Sequence, residues 1–148
     1  MIREMTSAAG AVGALVVAYA ERLDAGDLDG VAALFEHAVV RAARTGIELV
    51  GRDAVRGMYD PVIRYDNGTP HTQHVLANVE VHVDEDAGTA TSHCVFTVWQ
   101  ATPTDGLRPV LTGRYDDSFV AVGTDWRFTE RIIHADLLGD LSAHMRSR

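Results

Sequence analysis

Three side chains in the first half of the chain have the chemistry to move a proton between carbon and oxygen: Tyr19, Asp24 and His74. A phenol among apolar residues is a neutral donor at pH 7, and one such donor aimed at a developing oxyanion is worth about 2.7–4 kcal/mol. An imidazole titrating near ~6.5 can take a proton from carbon or carry one to a leaving hydroxyl. Asp24 lies about 140° round a helix from Tyr19, at the edge of the apolar face rather than within it. As a merely exposed acid in a last helical turn it would oppose the helix dipole. The blander roles are core packing for Tyr19, on the stripe Leu15, Val16 and Leu23, and a neighbour-bonded strand histidine for His74.

A second set of polar residues falls in the later half. His71 and His74 spell a His-x-x-His pair, but strand positions three apart face opposite ways, which argues against a shared metal ion. His93 and Trp99 share parity on one strand, with Val95 and Thr97 between them. Arg114, Tyr115 and Asp117 bring polarity to a half-buried strand, where charge needs a partner. Arg114 or Arg131 could hold a substrate carboxylate or carbonyl, and cross-strand ion pairs are the plainer alternative. Glu130 and His134 fall on the side of Trp126, Phe128 and Ile132, making His134 a candidate pocket residue. The single cysteine, Cys94, reads as a small buried hydrophobe.

Positioning these groups falls to helices first and strands after. A helix is expected over 6–25 with Thr6 as its cap, although Gly10 and Gly13 each weaken it by ~1 kcal/mol relative to alanine. Gly26 suits a left-handed helix end, and Asp27 caps a second helix over 28–35. A short strand over 38–44, a turn at Thr45-Gly46, a strand over 47–50 and a third helix over 51–59 follow, the last stopped before Pro61. After the turn chemistry of Asp66-Asn67-Gly68-Thr69-Pro70 the period changes to two. Residues 71–83 alternate, with Val75, Ala77, Val79, Val81 and Val83 on one side and His74, Leu76, Asn78, Glu80 and His82 on the other. Further long strands are expected over 89–101, 109–122 and 126–136, with 137–148 a short helix or fraying end. Helices followed by a run of strands argue for α+β.

The 148 residues are expected to form one domain, 1–148, and 47% hydrophobic content leaves ample material for a core. Acidic residues number 21 against 13 basic, with no lysine, which argues against nucleic acid as a partner. No segment reaches the roughly 18 apolar residues of a membrane span. One cysteine leaves no internal disulfide and is consistent with a reducing cytoplasm. Arg3 followed by 8–20 imitates a secretory signal, but Glu4 dilutes the basic start and the amphipathic pattern continues through Leu23.

Four stretches together resemble the nuclear transport factor 2-like superfamily, in its SnoaL-like and scytalone dehydratase-like branch. They are the tyrosine-bearing first helix running into Ala25-Gly26-Asp27, Leu34-Phe35, Thr72-Gln73-His74, and Gly113-Arg114-Tyr115 with Trp126-Arg127-Phe128. The resemblance implies a cone-shaped, curved antiparallel sheet with the N-terminal helices packed on its concave face, enclosing an apolar pocket. It implies a catalytic trio of Tyr19 as oxyanion donor, as in ketosteroid isomerases, His74 as the general base of scytalone dehydratase, and Asp24 orienting the histidine or a water. His93, Trp99, Tyr115, Arg131 and His134 are the further pocket candidates. Trp99 stands where scytalone dehydratase carries a second histidine, which His93 could replace, and that enzyme's first-strand tyrosine falls near Ala43. The isomerase base would fall near Arg41 or Ala42, which excludes the usual isomerase design. The activity implied is cofactor-free and metal-free acid/base chemistry on a small cyclic or polyketide-like hydroxy-carbonyl compound, as dehydratase, cyclase or isomerase. The same fold also serves non-catalytic binders and partner subunits, and it implies a homodimer through the outer sheet face.

Overall fold

The computed structural model describes residues 6–147; Arg3 and Glu4 lie outside them. Helix α1 (Ala8–Asp24) opens on Ser7, one residue later than expected, whose hydroxyl accepts from the Gly10 N–H at 3.0 Å. It buries Val12, Val16, Tyr19 and Leu23 along one face. Each buried aliphatic side chain there contributes about 1.5–3 kcal/mol. The helix ends where Gly26 takes φ +76° and the Asp27 N–H donates to the Arg22 carbonyl at 2.9 Å, closing the last turn. Asp27 then caps α2 (Leu28–Ala33) by accepting from Gly30.

Gly26 is held twice over. A Cβ there would stand 2.1 Å from the Gly68 carbonyl oxygen, so the end of α1 and the loop before the long strands touch backbone to backbone. Gly26→Ala is expected to lower unfolding free energy by about 2 kcal/mol or more, from the left-handed conformation plus the clash. Urea denaturation followed by circular dichroism checks this.

Two short strands, β1 (Val39–Ala42) and β2 (Ile47–Val50), precede α3 (Gly51–Met58). Four long ones follow: β3 (Thr72–Asp84), β4 (Thr89–Gln100), β5 (Arg108–Val122) and β6 (Asp125–Leu138). They form one curved, unclosed sheet in the order β2-β1-β6-β5-β4-β3. The fold is α+β as expected. All neighbours are antiparallel except β1 beside β6, which run parallel. No hairpin joins that pair, so nothing in the connection imposes the antiparallel sense.

Several bulges interrupt the sheet, and two of them decide which side chains of β3 and β6 face the core. In β3 the pairing slips between Ala77 and Glu80, with Asn78 at φ +53°. Val75 and Val79 are therefore exposed while Val81 and Val83 pack against the core, so the expected continuous valine side is split. In β6 the pairing slips between Phe128 and Glu130, which turns Phe128 and Arg131 inward and Glu130 outward. An extra residue reverses every side chain beyond it.

The C-terminal segment 139–147 is neither a helix nor a frayed end. It folds back so that Met145 bridges to Val62, the Ile63 N–H donates to the His144 carbonyl at 2.9 Å, and Arg146 donates to Pro61 at 2.8 Å. The Gln100 amide donates to Ala143 at 3.0 Å from the end of β4. Among the described residues no helix is long and apolar enough to cross a membrane.

Candidate active site

Between α1, the concave face of the sheet and the C-terminal segment lies a cavity of about 240 Å³. Its walls are mostly apolar, with Leu23, Phe96, Val98, Leu111 and Ile133 prominent. Its polar groups are Tyr19, Tyr59, Tyr115, His74 and His144. A broader groove of about 790 Å³ beside α3 and β2 is lined by Leu49, Met58 and Pro61, with Asp60 and Arg146 but no histidine or tyrosine among its described lining residues.

Asp24 and His74 meet at the junction of α1 and β3. The carboxylate accepts from the Thr72 hydroxyl at 2.9 Å and from the His74 backbone N–H at 2.7 Å, and its Oδ1 lies 2.6 Å from His74 Nδ1. These donors compensate an acid at the negative end of a helix. An ionised carboxylate only accepts, so the pairing calls for a proton on Nδ1, and in the neutral ring of that tautomer Nε2 carries the lone pair. The His74 side chain is almost fully buried. His71, three residues back, diverges and stacks on Tyr65 at 4.4 Å between centroids.

Tyr19 projects from α1 into the same space, its ring 6.3 Å from that of His74 and edge-on. Its hydroxyl is 2.9 Å from that of Tyr59, which stands just past the end of α3. Tyr115 meets Tyr19 edge to face at 5.5 Å and stacks flat on Phe96 at 4.2 Å. Burial raises Tyr59, with neighbouring Tyr19 adding to the effect, and burial likewise raises Tyr115. Both phenols therefore stay protonated donors at neutral pH.

Behind the tyrosines sits a charge with no access to the cavity. Arg131 is wholly buried, and its Nε and Nη2 donate to the two oxygens of Asp117 at 2.7 and 2.8 Å. Its guanidinium lies 4.2 Å from the centre of the Tyr19 ring and 3.9 Å from that of Tyr115. Burial works against the charge, and Asp117 outweighs it, so the group stays protonated. The expectation that Arg131 grips a substrate is thus corrected: it supports the tyrosines from below. Arg114, the other candidate, pairs with Asp136 at 2.8 Å on the outer side.

Three more expected pocket residues lie on the wrong face. On β4 the inward positions are Cys94, Phe96, Val98 and Gln100, so His93 and Trp99 point away from the cavity. On β6 the bulge gives the cavity Ile133 and Ala135 and turns His134 outward. His93 and His134 both bond Asp116, at 2.7 and 2.9 Å. His93 therefore does not replace a second cavity histidine. Of the pocket candidates, Tyr115 lines the cavity. Ala42 also lines it, while Arg41 turns away to pair with Glu48 and Glu130. Burial pushes the Cys94 thiol up to about 11, leaving it an unreactive core group.

The structure adds two polar groups that the sequence did not single out. Tyr59 carried no signal beyond its place before Pro61, and His144 lies in the segment expected to fray. His144 is 4% exposed, and burial, helped by nearby His74 and opposed by Asp24, pushes its pKa down to about 4. Its Nδ1 is enclosed without a hydrogen-bond partner among the described residues, a state that costs about 1–3 kcal/mol. Among the described residues no cluster of three or more His, Cys, Asp or Glu side chains is arranged to hold a metal ion.

A curved sheet wrapped over helices around an apolar, tyrosine-floored cavity is the architecture of the nuclear transport factor 2-like class. Within it, the chain belongs to the SnoaL-like domain family, whose model matches residues 4–132. Solved structures agree on the fold. A candidate scytalone dehydratase from Novosphingobium aromaticivorans superposes with a TM-score of 0.70 at 23% identity, over 93% of this chain and 87% of that one. A Mycobacterium tuberculosis protein of unknown function gives 0.69 at 24% identity, over 86% of this chain and 70% of that one. The β subunit of a candidate aromatic-ring-hydroxylating dioxygenase, also from N. aromaticivorans, gives 0.71 at 15% identity, over 95% and 97%. No curated protein matches in sequence.

Proposed function

We propose that the protein is a cofactor-independent acid/base enzyme for a small, largely apolar ring compound bearing a carbonyl and a β-hydroxyl, acting as a dehydratase. The observation that carries this reading is the 2.6 Å contact of Asp24 with His74 at the wall of an apolar cavity that also holds Tyr19. His74 Nε2 takes the proton from the carbon next to the carbonyl. The enolate oxygen accepts from the Tyr19 hydroxyl, which Tyr59 supports from the other side. The protonated His74 then gives its proton to the departing hydroxyl, so one water leaves and the histidine returns to its starting form. Closure of the same enolate onto a second carbonyl would make the reaction a cyclisation.

The first step can be tested without knowing the natural substrate. A panel of fused-ring ketones and β-hydroxy ketones is incubated in heavy water and examined by mass spectrometry. Deuterium uptake at the carbon next to the carbonyl, with loss of water from the hydroxylated members, is the expected result. Tyr19→Phe should slow the exchange by about 10²–10³-fold, the usual effect of losing one oxyanion donor. Members that bind but never exchange would make the protein a carrier or partner subunit instead.

A further inference from the structure

The buried imidazole of His144 has no structural work to do where it stands. Leu138, Leu141, Met145 and Val62 line the same cavity, and an aliphatic or aromatic residue would suit such walls better than a ring with two nitrogens. The side chain makes no hydrogen bond or ion pair among the described residues. The backbone that carries it is nevertheless anchored. The His144 N–H donates to Leu141 at 2.9 Å and its carbonyl accepts from Ile63 at 2.9 Å, while the preceding carbonyl, of Ala143, accepts from Gln100 at 3.0 Å and from the Tyr65 hydroxyl. A buried, unpartnered polar ring on an anchored stretch of backbone, lining a cavity, fits a contact completed only when a ligand enters.

We propose that His144 is a substrate-contacting residue that exchanges a hydrogen bond with a second oxygen of the ligand, so that the cavity selects rings carrying two separated oxygen functions. One oxygen addresses the Tyr19–Tyr59 pair, and the other addresses His144. The proposal deepens the acid/base reading above and rests on it for the placement of the first oxygen. A neutral imidazole both donates and accepts, which matches a hydroxyl better than a carboxylate or an ammonium group. The charged or titratable groups facing it are His74 on β3 and Asp24 on α1, and the net effect of burial and these two keeps it neutral through the physiological range.

Binding, measured without turnover, tests this separately from catalysis. Isothermal titration compares mononaphthols with naphthalenediols spanning the ring positions. At least one diol is expected to bind the native protein about three- to tenfold more tightly than its parent naphthol, the worth of one neutral hydrogen bond. His144→Phe should bring that ratio to about one, and His144→Gln should restore part of it. The nitrogen-15 shifts of the His144 ring in the native chain should move with the diol and not with the naphthol, a readout that needs no variant to fold. An unaltered ratio in His144→Phe, a silent ring, or no binding by any member overturns the proposal. A ratio that behaves as expected alongside absent deuterium exchange would leave this contact standing and remove the enzymatic reading.

Discussion

His74→Ala is expected to reduce kcat by about 10²–10⁴-fold on any substrate the protein turns over, the usual worth of a positioned general base. The loss should fall on kcat more than on KM, because the Tyr19 and Tyr59 hydroxyls and the apolar walls remain to bind. Asp24→Asn is the sharper companion variant. An amide that donates to Nδ1 would move the ring proton to Nε2, so His74 would face the cavity as a donor with no lone pair to accept the substrate's proton. A kcat loss of comparable size in Asp24→Asn, with the circular dichroism spectrum retained, is the expected pattern. Steady-state kinetics on whichever ketone exchanges deuterium would check both variants, and full activity in either would remove the Asp24–His74 pair from the mechanism.

The largest expected effect on stability comes from Asp117 and Arg131. Both side chains are essentially excluded from water, and each supplies the partner that makes the other tolerable. Asp117→Ala leaves an unpaired guanidinium between aromatic rings, and breaking a buried pair in this way costs about 3–5 kcal/mol. Arg131→Met alone should be nearly as damaging, since among the described residues it leaves the carboxylate only the Ser92 hydroxyl, 3.5 Å away. The double variant Asp117→Leu with Arg131→Met should recover most of the loss, because the desolvation of both charges disappears together. Urea midpoints for the two single variants and the double variant form the cycle that measures this. Additive losses would show that the two groups act independently despite their contact.

The parts of this architecture that depend on local pattern were legible in the chain. The apolar spacing of Val16, Tyr19 and Leu23, the glycine at 26 and the capping aspartate at 27 specify α1 and α2 through neighbours only a few residues away. Strand existence was equally local, and the misfit of Asp24 with its helix dipole marked it as more than an exposed acid; its donors prove to be Thr72 and His74. Face assignment was not local. The slips at Asn78 and after Phe128 are each a single extra residue, invisible to a period of two, yet they decide that Val81 faces the core and His134 does not. Arg131 was legible as a charge needing a partner, but not as a buried one, because its inward turn depends on the same slip. His144 was hidden differently: it acquires its setting from Gln100, Ile63 and Tyr65, contacts that close only once the sheet exists.

The slip at Asn78 also bears on how the molecule behaves in a crowded solution. Among the described residues strand β3 is an outermost member of the sheet, 13 residues long and rich in valine, with one row of backbone donors and acceptors left unclaimed by a neighbouring strand. A straight ribbon of that kind would template the stacking of further chains into fibrils. The kink breaks the row partway along, and the exposed Glu80, His82 and Asp84 beyond it add charge and polarity at the free margin. The irregularity that spoils the alternation thus doubles as protection against aggregation.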